Sequence, residues 1–542
     1  MNISKFTTIE IVLKTNILKS LFNFFERKAV LFITLFLTGI SIAFFLVFIS
    51  DGLALAYNDA RSHLDIGRRV VEGLKPGLAQ LGSVWLPLNH ILMIPTIWND
   101  FMWHTGLSGA IVSMISYVAT GVLIYLILKH LNVSFLGRII GVLVFALNLN
   151  ILYLQSTAMT ELLLIATSTA GAYYLILWFE NQRIIDLLKT AFWLMMATLT
   201  RYDGWFLFLI TAILIVIHGY RKKGYKGAEG LFFLFCTLGG LGIILWFLWN
   251  QLIFGDALYF ALGPYSAHAQ QQQLDQAGNL ITKNNWWIST QTYFYALFYN
   301  SNTFISLLSF FGGAVFWLDK KVSLNNKLAS IALLGPLFFN ILALYLGFSV
   351  LFIQGINGDT WFNVRYGVML MPFIAVFTGY LVHKLDNLKI VLIGLLILVT
   401  FFQFNSFDAA TIDDARVGSS QKNVSEVSGY IKEHATGQKG FILISAASHD
   451  AIIFSSGLPM DRFIHEGTGE YWKAATGSPD RWARWIVTRT YDDNDSTWRL
   501  IKNSDGLSRY RLVAKYPFAD IYELKEEFLN DLNTEAIFVN QK

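Results

Sequence analysis

Long apolar runs separated by short polar loops occupy roughly the first three quarters of the chain. Because about 20 apolar residues are needed to cross a bilayer, each run of this size is a candidate span. The runs lie at 29–49, 107–128, 138–153, 160–179, 187–201, 204–219, 230–251, 293–318, 328–349, 366–383 and 389–405. The pattern predicts a mostly α, polytopic helical membrane protein of about eleven spans.

The pattern changes after residue 405. Residues 406–542 have the charge and turn density of a water-exposed domain. The apolar runs at 440–448 and 484–489 are typical of buried strands, and residues 510–524 are typical of a hairpin. We therefore predict a small α/β domain over 406–542, after a transmembrane domain over 29–405.

Basic residues are concentrated in alternate loops between the runs. They are Lys129, Arg138, Arg183, Lys189, Arg221, Lys222, Lys223, Lys226, Lys320, Lys321, Lys327, Lys384 and Lys389. The positive-inside rule places these loops and the N-terminus in the cytoplasm. An odd number of spans then places the C-terminal domain outside, with 50–106 as the first outer loop. Residues 1–28 are predicted to form a basic interfacial segment.

Composition agrees with a chain that lies largely in lipid. Hydrophobic residues make up 54% and charged residues only 14% of the chain, whereas soluble domains carry about 25% charged residues. No basic face with interleaved aromatic residues is present, which argues against nucleic acid as a partner. The one cysteine, Cys236, excludes an internal disulfide and a cysteine zinc cluster. We find no internal repeat, which disfavours a transporter built from inverted halves.

The stretch YNDARSHLDIGRRVVEGLKP, residues 57–76, follows the first span directly. Asn58 is a good N-cap, and Asp59 falls in the first turn of the predicted helix. We expect an amphipathic helix on the outer membrane surface that ends at Lys75-Pro76-Gly77. Its charges should lie on a solvated face, with Arg61–Asp65 and Asp65–Arg69 as i,i+4 pairs. These charges are Arg61, Asp65, Arg68, Arg69 and Glu72.

Further ionisable residues fall on the same predicted membrane face as Asp59. Such residues at membrane depth are costly and are candidates for function. They are Glu161 in MTELLL, Arg201 and Asp203 in LTRYDGW, and Arg365, followed by Tyr366, in NVRYGVMLMP. The structural alternatives are a capping acid for Asp59 and Glu161, a mutual clamp for Arg201 and Asp203, and snorkelling to headgroups for Arg365.

Together with GSVWLPLNHILMIP, the order and topology of these motifs resemble the type C (GT-C) membrane glycosyltransferases. These include the protein O-mannosyltransferases and the lipid A aminoarabinose transferases. The resemblance covers roughly residues 25–400 and implies a polyprenyl-phosphate sugar as donor. It assigns the general base to Asp59, although Asn58-Asp59 stands where many members have an acidic pair. Glu161 matches a second acidic position, which in some relatives helps to position the acceptor or a metal.

The chemistry of inverting transfer fits these residue types. One carboxylate must take the proton of the attacking acceptor group, and cations must hold the departing lipid phosphate. Guanidinium groups suit phosphate, so Arg201 and Arg365 are our choices. Asp59 and Glu161 are assigned to catalysis, and a divalent cation is left open as a cofactor. Residues assigned to substrate binding are Arg201, Asp203, Arg365, Tyr366, His63, Trp85 and His90.

Several of these residues could have a purely structural role instead. Tyr366 could donate a hydrogen bond or belong to an aromatic belt. His63 could orient the base or bind a ligand, or it could be a surface histidine. Trp85 could stack on a sugar or anchor the loop at the interface. The glutamine-rich loop 252–292, with Trp286 and Trp287, could be a lid or a plain interfacial loop.

The favoured function is a membrane glycosyltransferase that acts on the outer face, by preference of a prokaryotic cytoplasmic membrane. The acceptor could be protein, lipid or a growing glycan. A transporter or flippase of lipid-linked glycans would need charges inside the spans, which are nearly charge-free. An assembly or sensor protein would use its outer domain to bind a partner.

Overall fold

The computed structural model describes residue 24 and residues 26–263, 266–417 and 421–533. The predicted interfacial segment therefore lies almost entirely outside the described residues. Within those ranges, seven helices are long and apolar enough to cross a bilayer, or up to nine if each of two bent helix pairs is one span. The chain is an integral, multi-pass membrane protein with a small sheet domain at its C-terminal end.

In the described part of the chain, twenty α-helices precede residue 418, and we call them the membrane part and number them in chain order. They are α1 (Ala29–Ser50), α2 (Asn58–Val71), α3 (Leu88–Ile97), α4 (Asp100–His104), α5 (Leu107–His130), α6 (Phe135–Ala146), α7 (Leu149–Leu154), α8 (Glu161–Asn181), α9 (Ile184–Thr198), α10 (Asp203–Gly239), α11 (Leu241–Phe254), α12 (Tyr259–Leu262), α13 (Ala267–Gln276), α14 (Trp286–Ser301), α15 (Thr303–Leu318), α16 (Leu324–Ser330), α17 (Gly335–Leu346), α18 (Met371–Lys384), α19 (Leu388–Ser406) and α20 (Ala410–Val417). Short 3₁₀ helices include Leu78–Leu81, Ile331–Leu334 and Val364–Leu370.

Some predicted spans are broken helices. The run 293–318 is α14 and α15, which meet at an angle of 107°. Asn302 lies at this bend with φ 68°, and its side chain caps α15 by accepting from the backbone N of Phe304 at 2.9 Å. Asparagine tolerates this left-handed conformation better than most residues do. The run 138–153 is likewise two short helices, α6 and α7.

The membrane part is organised around the segment Val364–Lys384, which comprises a 3₁₀ helix and α18. Of the residues in its most apolar stretch, 89% are buried, compared with 22% of those in the corresponding stretch of α1. Its sequence is hydrophobic all round, as expected for a helix surrounded by other helices. The residues just before α18 are therefore held by packing on all sides, and Arg365 is one of them.

The C-terminal domain contains one five-stranded mixed sheet. Its strands are β1 (Phe441–Ile444), β2 (Phe463–Ile464), β3 (Ala483–Thr488), β4 (Tyr510–Lys515) and β5 (Asp520–Leu524), in the order β2-β1-β3-β5-β4. Its helices are α21 (Gln421–Ala435), α22 (Ala446–Ser456), α23 (Glu470–Gly477) and α24 (Ser496–Ile501). The predicted strands and hairpin are present as β1, β3 and β4–β5. Strand β2 is only two residues long and has no sequence signal of its own.

Helix α2 lies between the membrane part and the C-terminal domain. The side chains of Arg61, Asp65, Arg68 and Arg69 are buried, so the prediction of a solvated face is wrong. Asp450 of α22 forms an ion pair with Arg69. The physical reason is that the C-terminal domain packs on α2 and supplies polar partners for these side chains. An amphipathic pattern shows only that one helix face is polar. It does not show whether water or a polar protein surface covers that face.

The local details of α2 also differ from expectation. Tyr57, rather than Asn58, is the N-cap, while Asp59 is in the first turn as predicted. The helix ends at Val71, and the i,i+4 ion pair is Arg68–Glu72 rather than Arg61–Asp65 or Asp65–Arg69. Glu72 also accepts from the backbone N of Met460 at 2.9 Å, which ties the end of α2 to the C-terminal domain.

The glutamine-rich part of loop 252–292 forms helix α13. Ser266 caps this helix by accepting from the backbone N of Ala269 at 3.2 Å. Trp286 stacks on Tyr345, with ring centroids 4.1 Å apart. Trp287 is exposed, as suits a side chain at a lipid–water boundary. The role of this loop as a lid stays a prediction.

The buried Arg69–Asp450 pair should hold the C-terminal domain on α2. In Asp450→Asn, the Arg69 charge stays buried without its counter-ion, so the protein should lose about 3 kcal/mol of stability. Thermal unfolding of the purified protein in detergent measures the loss. Exposed Asp461 provides the control variant Asp461→Asn. Arg69→Met combined with Asp450→Leu should recover most of the loss, and a double variant as unstable as Asp450→Asn would contradict this account.

Candidate active site

Six charged side chains meet at the end of the helical bundle that faces the C-terminal domain. We call them the arginine–carboxylate cluster, and they are Asp59, Glu161, Arg201, Asp203, Arg365 and Asp414. Arg365 is at the centre and is only 6% exposed. Its Nη2 donates to Asp59 Oδ2 at 2.6 Å, and its Nε donates to Glu161 Oε1 at 3.0 Å.

Arg201 binds the same oxygen of this glutamate. Its Nη1 donates to Glu161 Oε1 at 3.1 Å, and its Nε donates to Asp203 Oδ2 at 3.2 Å. The predicted Arg201–Asp203 clamp therefore exists, but it is part of the larger cluster. The ring of Tyr366 lies 5.0 Å from the Arg201 guanidinium and 5.5 Å from that of Arg365, within the range of cation–π attraction.

Local sequence explains how these side chains reach one point. Glu161 and Asp203 each occupy the first turn of a helix, α8 and α10, where the backbone dipole favours a carboxylate. Arg365 lies in the 3₁₀ helix that precedes α18. A Cβ at Gly367 would lie 2.3 Å from the carbonyl O of Ala296, so only glycine lets this segment approach α14 so closely.

Asp59 differs from the other acids of the cluster in its exposure. Its side chain is 42% exposed, whereas Glu161 is fully buried and Asp203 and Asp414 are nearly so. A molecule that approaches from water can therefore reach Asp59 directly. The exposed carboxylate is held in place by a buried guanidinium.

Glu161 neutralises two arginines at once. Its Oε1 accepts from both guanidinium groups, and its Oε2 has no hydrogen-bond partner among the described residues. Without this carboxylate, two buried like charges would face each other in a medium of low dielectric. The snorkelling alternative for Arg365 is wrong, because its side chain is buried among acids rather than extended to the membrane surface.

His63, Trp85 and His90 form a separate group beside the cluster, in which the two histidines are buried and Trp85 is partly exposed. His63 Nδ1 and His90 Nε2 are 2.9 Å apart, and the His63 ring lies 4.5 Å from that of Trp85. His63 is 3% exposed, so the alternative of a surface histidine is wrong. No hydrogen bond between His63 and Asp59 is present in the described part of the chain.

The electrostatic state of His63 follows from this environment. Burial, together with the positive charges of Arg365 and Arg201, lowers the pKa of His63 to about 3. The imidazole is therefore neutral at physiological pH and shares one hydrogen bond with His90. Because it does not titrate near neutrality, His63 is suited to packing or ligand contact rather than to proton transfer.

Backbone contacts hold the GSVWLPLNH segment beside Arg201. The hydroxyl of Tyr202 donates to the carbonyl O of Val84 at 3.1 Å. The backbone N of Leu88 donates to the carbonyl O of Leu199 at 3.0 Å. Trp85 and His90 are thereby kept on the same side of the bundle as the cluster.

Sequence reasoning missed Asp414 and Tyr57. Asp414 Oδ2 lies 3.8 Å from Arg365 Nη1 and accepts from the Tyr57 hydroxyl at 3.0 Å. The Tyr57 ring lies 4.8 Å from the Arg365 guanidinium. The available signal was the acidic pair in TIDDAR, which follows the last span on the predicted outer side. Helix α20 carries Asp414 and lies beyond the predicted boundary at residue 405.

The arrangement does not fit a metal ion. Within the described ranges, no group of three or more His, Cys, Asp or Glu side chains could hold one. Arg365 lies between Asp59 and Glu161 and donates to both, so a guanidinium takes the place that a shared cation would need. We therefore assign no step of a reaction at this site to a metal ion.

No protein-family model and no curated protein matches the chain. Solved structures do match. The crystal structure of ArnT from Cupriavidus metallidurans bound to undecaprenyl phosphate has a TM-score of 0.54 at 8% identity and covers 90% of this chain and 98% of its own. The apo form has a TM-score of 0.51 at 10% identity, with the same coverage. The apo oligosaccharyltransferase of Archaeoglobus fulgidus has a TM-score of 0.49 at 10% identity and covers 93% of this chain and 75% of its own.

The two ArnT structures are similar to this chain over nearly its whole length. ArnT is a lipid A aminoarabinose transferase of the GT-C fold. The chain therefore has the GT-C fold, with a C-terminal sheet domain, as the sequence motifs led us to expect.

His63 gives a pH-dependent prediction. Unfolded His63 takes up a proton below about pH 6.5, whereas the folded protein keeps it neutral down to about pH 3. Its contribution to stability is full above pH 6.5 and is lost as the pH falls, by roughly 2 kcal/mol at pH 5. The stability advantage of wild type over His63→Gln should therefore shrink between pH 7 and pH 5 in thermal unfolding. An advantage that grows on acidification would contradict the neutral, buried histidine.

Proposed function

We propose that the protein is a glycosyltransferase that moves a sugar from a polyprenyl-phosphate donor to an acceptor at the membrane face that carries the C-terminal domain. The observation that carries this proposal is the contact between the exposed Asp59 carboxylate and the buried Arg365 guanidinium, with Arg201 beside it. One set of residues thus combines a base with two phosphate-binding cations. The ArnT structure of the same fold with bound undecaprenyl phosphate supports a lipid-phosphate donor.

The two arginines are assigned to the lipid phosphate. Negative charge grows on that phosphate as the bond to the sugar breaks, and preorganised cations stabilise it most where water is excluded. Arg365 has only 7% of its side chain exposed, and Arg201 has 16%. The Tyr366 ring lies within cation–π range of both guanidinium groups and so helps to hold them in the site.

Inversion sets a geometric requirement on Asp59. The attacking group and the leaving phosphate lie on opposite faces of the sugar, so the base and the phosphate-binding cation must be separated by the sugar ring. Asp59 and Arg365 are in direct contact at 2.6 Å. We infer that the donor phosphate replaces Asp59 on Arg365. The released carboxylate then accepts the proton of the acceptor hydroxyl or amine as the new glycosidic bond forms.

Glu161 is assigned a positioning role. It is fully buried and binds both arginines, so it orients them and offsets their repulsion while Asp59 moves. Asp203 and Asp414 fix the outer sides of Arg201 and Arg365 in the same way. Trp85, the partly exposed member of the His63–Trp85–His90 group, is assigned to contact with the sugar. The buried His63 and His90 are assigned to the support of its ring.

Asp59→Asn tests the base. The amide keeps the size of the side chain but cannot take a proton, so transfer should fall by about 10²–10⁴-fold. Donor binding should be at least as tight as in wild type, because the amide competes less well than a carboxylate with the phosphate for Arg365. The assay incubates the purified protein in lipid with a panel of radiolabelled polyprenyl-phosphate sugars and follows release of sugar to acceptor or water. Exposed Asp51, in the same loop, provides the control Asp51→Asn.

Retention of transfer in Asp59→Asn would remove the role assigned to Asp59. Absence of transfer in wild type across the panel, with tight binding of the lipid donor, would favour a flippase or a lipid-binding protein.

Arg365→Lys tests phosphate binding without removing the charge. A lysine ammonium cannot bind two acids and a phosphate through the planar fork of a guanidinium. We expect binding of undecaprenyl phosphate to weaken by about tenfold or more. The exposed Arg416 of α20 provides the control Arg416→Lys, which should bind as wild type does. Equal affinity in Arg365→Lys and wild type would place the lipid phosphate elsewhere.

A further inference from the structure

A cavity lies between α2 and the C-terminal domain. It is separate from the arginine–carboxylate cluster. Its volume is about 430 Å³. The side chains that matter for its chemistry are Leu55, Arg61, His104, Lys432, Phe454 and Ser455. Three of these six are basic or can become so, and none is acidic. The membrane part and the C-terminal domain both contribute, so the cavity exists only when the two are docked.

Arg61 is the unusual residue of this cavity. It is 8% exposed, and within the described residues it forms no ion pair. Its Nε donates to the carbonyl O of Leu55 at 2.9 Å, and its Nη1 donates to Ser455 Oγ at 3.1 Å. A guanidinium has five N–H donors, so most of them have no protein partner in the described part of the chain. Burial lowers the pKa of Arg61, with no carboxylate to offset it.

The arginines of the neighbouring cluster provide the contrast. Arg365 and Arg201 are each bound by two or more carboxylates. A buried cation without a counter-ion is strongly unfavourable unless an anion completes the site. Asp100 and Glu72, the acids whose charges act on His104 of the lining, do not pair with Arg61, because both form ion pairs with Arg68.

The rest of the lining suits an oxyanion. Lys432 of α21 is exposed and forms no ion pair within the described ranges, so its ammonium is available. His104 is half-buried at the end of α4. Leu55 and Phe454 supply apolar walls, which strengthen the attraction between a guanidinium and an anion by excluding water.

We propose that this cavity binds a phosphate group of the acceptor, and hence that the acceptor is an anionic, phosphate-bearing molecule. The link to the acceptor rests on the function proposed for the arginine–carboxylate cluster. Leu55 and Arg61 flank Asp59 in the chain, so the cavity adjoins the end of α2 that carries Asp59. Asp59 and Arg61 are two residues apart on α2, a rise of about 3 Å.

The same geometry limits the size of the acceptor. Two helical residues differ by about 200° around the axis, so Asp59 and Arg61 face different sides of α2. A molecule anchored by its phosphate on Arg61 must therefore extend around the first turn to bring a hydroxyl or amine to Asp59. A phosphorylated sugar headgroup of a lipid or glycan has this reach, whereas inorganic phosphate would fill only the anchor.

The test measures binding of two probes to the purified, full-length protein in neutral lipid. The probes are inorganic phosphate and water-soluble dihexanoyl phosphatidic acid. Lys432→Gln and Arg61→Gln should weaken binding by about tenfold or more. Exposed Lys439, in the same domain, provides the control Lys439→Gln. Arg365→Lys should leave unchanged the part of the binding that Lys432→Gln removes, which separates this cavity from the cluster. Lys432→Gln keeps the test valid if Arg61→Gln does not fold.

Binding of both probes that is lost in Lys432→Gln supports a site that needs only the phosphate group. Binding of phosphatidic acid alone, with the same loss, supports a site for a lipid headgroup. Binding of neither probe, or binding equal in Lys432→Gln and wild type, overturns the proposal. Undecaprenyl phosphate binding is measured in parallel. Its failure in wild type would count against the proposed function but not against the anion site.

Discussion

Burial of the Arg365 guanidinium is the constraint on which the site depends. A buried charge without a partner costs several kcal/mol, so the fold must bring carboxylates to it. The carboxylates come from far apart in the chain, namely from Asp59 in the first loop, from Glu161 at the start of α8 and from Asp414 in α20. Neutralising one arginine therefore fixes the relative positions of α2, α8, α20 and the segment before α18. Asp59 is the exposed member of the set.

The C-terminal domain contributes to this arrangement through α2. Helix α22, which follows β1, packs on α2, and its Asp450 neutralises Arg69. Glu72 and Arg61 make further contacts with the same domain. The helix that begins with Asp59 is thus held from one side by the membrane part and from the other by the sheet domain. A shift of the domain would move Asp59 relative to Arg365, so the position of the domain and the geometry of the site are coupled through α2.

The sequence was informative wherever a physical rule acts locally. Apolar runs identified the long spans, and alternation identified β1, β3 and the β4–β5 hairpin. The cost of charges at membrane depth singled out Glu161, Arg201 and Arg365. The rules failed where the partner is distant. Arg61, Asp65, Arg68 and Arg69 have the pattern of a solvated face, because a helix pattern records polarity and not what covers it. Asp414 was missed because it reaches Arg365 only when α20 packs against Tyr57 in the folded chain. The bend at Asn302 was missed because hydropathy carries no information on backbone direction.

The most direct test of the central claim is a cryo-electron microscopy structure of the protein in a lipid nanodisc with undecaprenyl phosphate. The account predicts density for the phosphate on the Arg365 and Arg201 guanidinium groups, with the Asp59 carboxylate displaced from its 2.6 Å contact with Arg365 and directed towards water. Glu161 should remain bound to both arginines. A phosphate bound away from these arginines, or an Asp59–Arg365 pair that stays closed with the phosphate present, would contradict it.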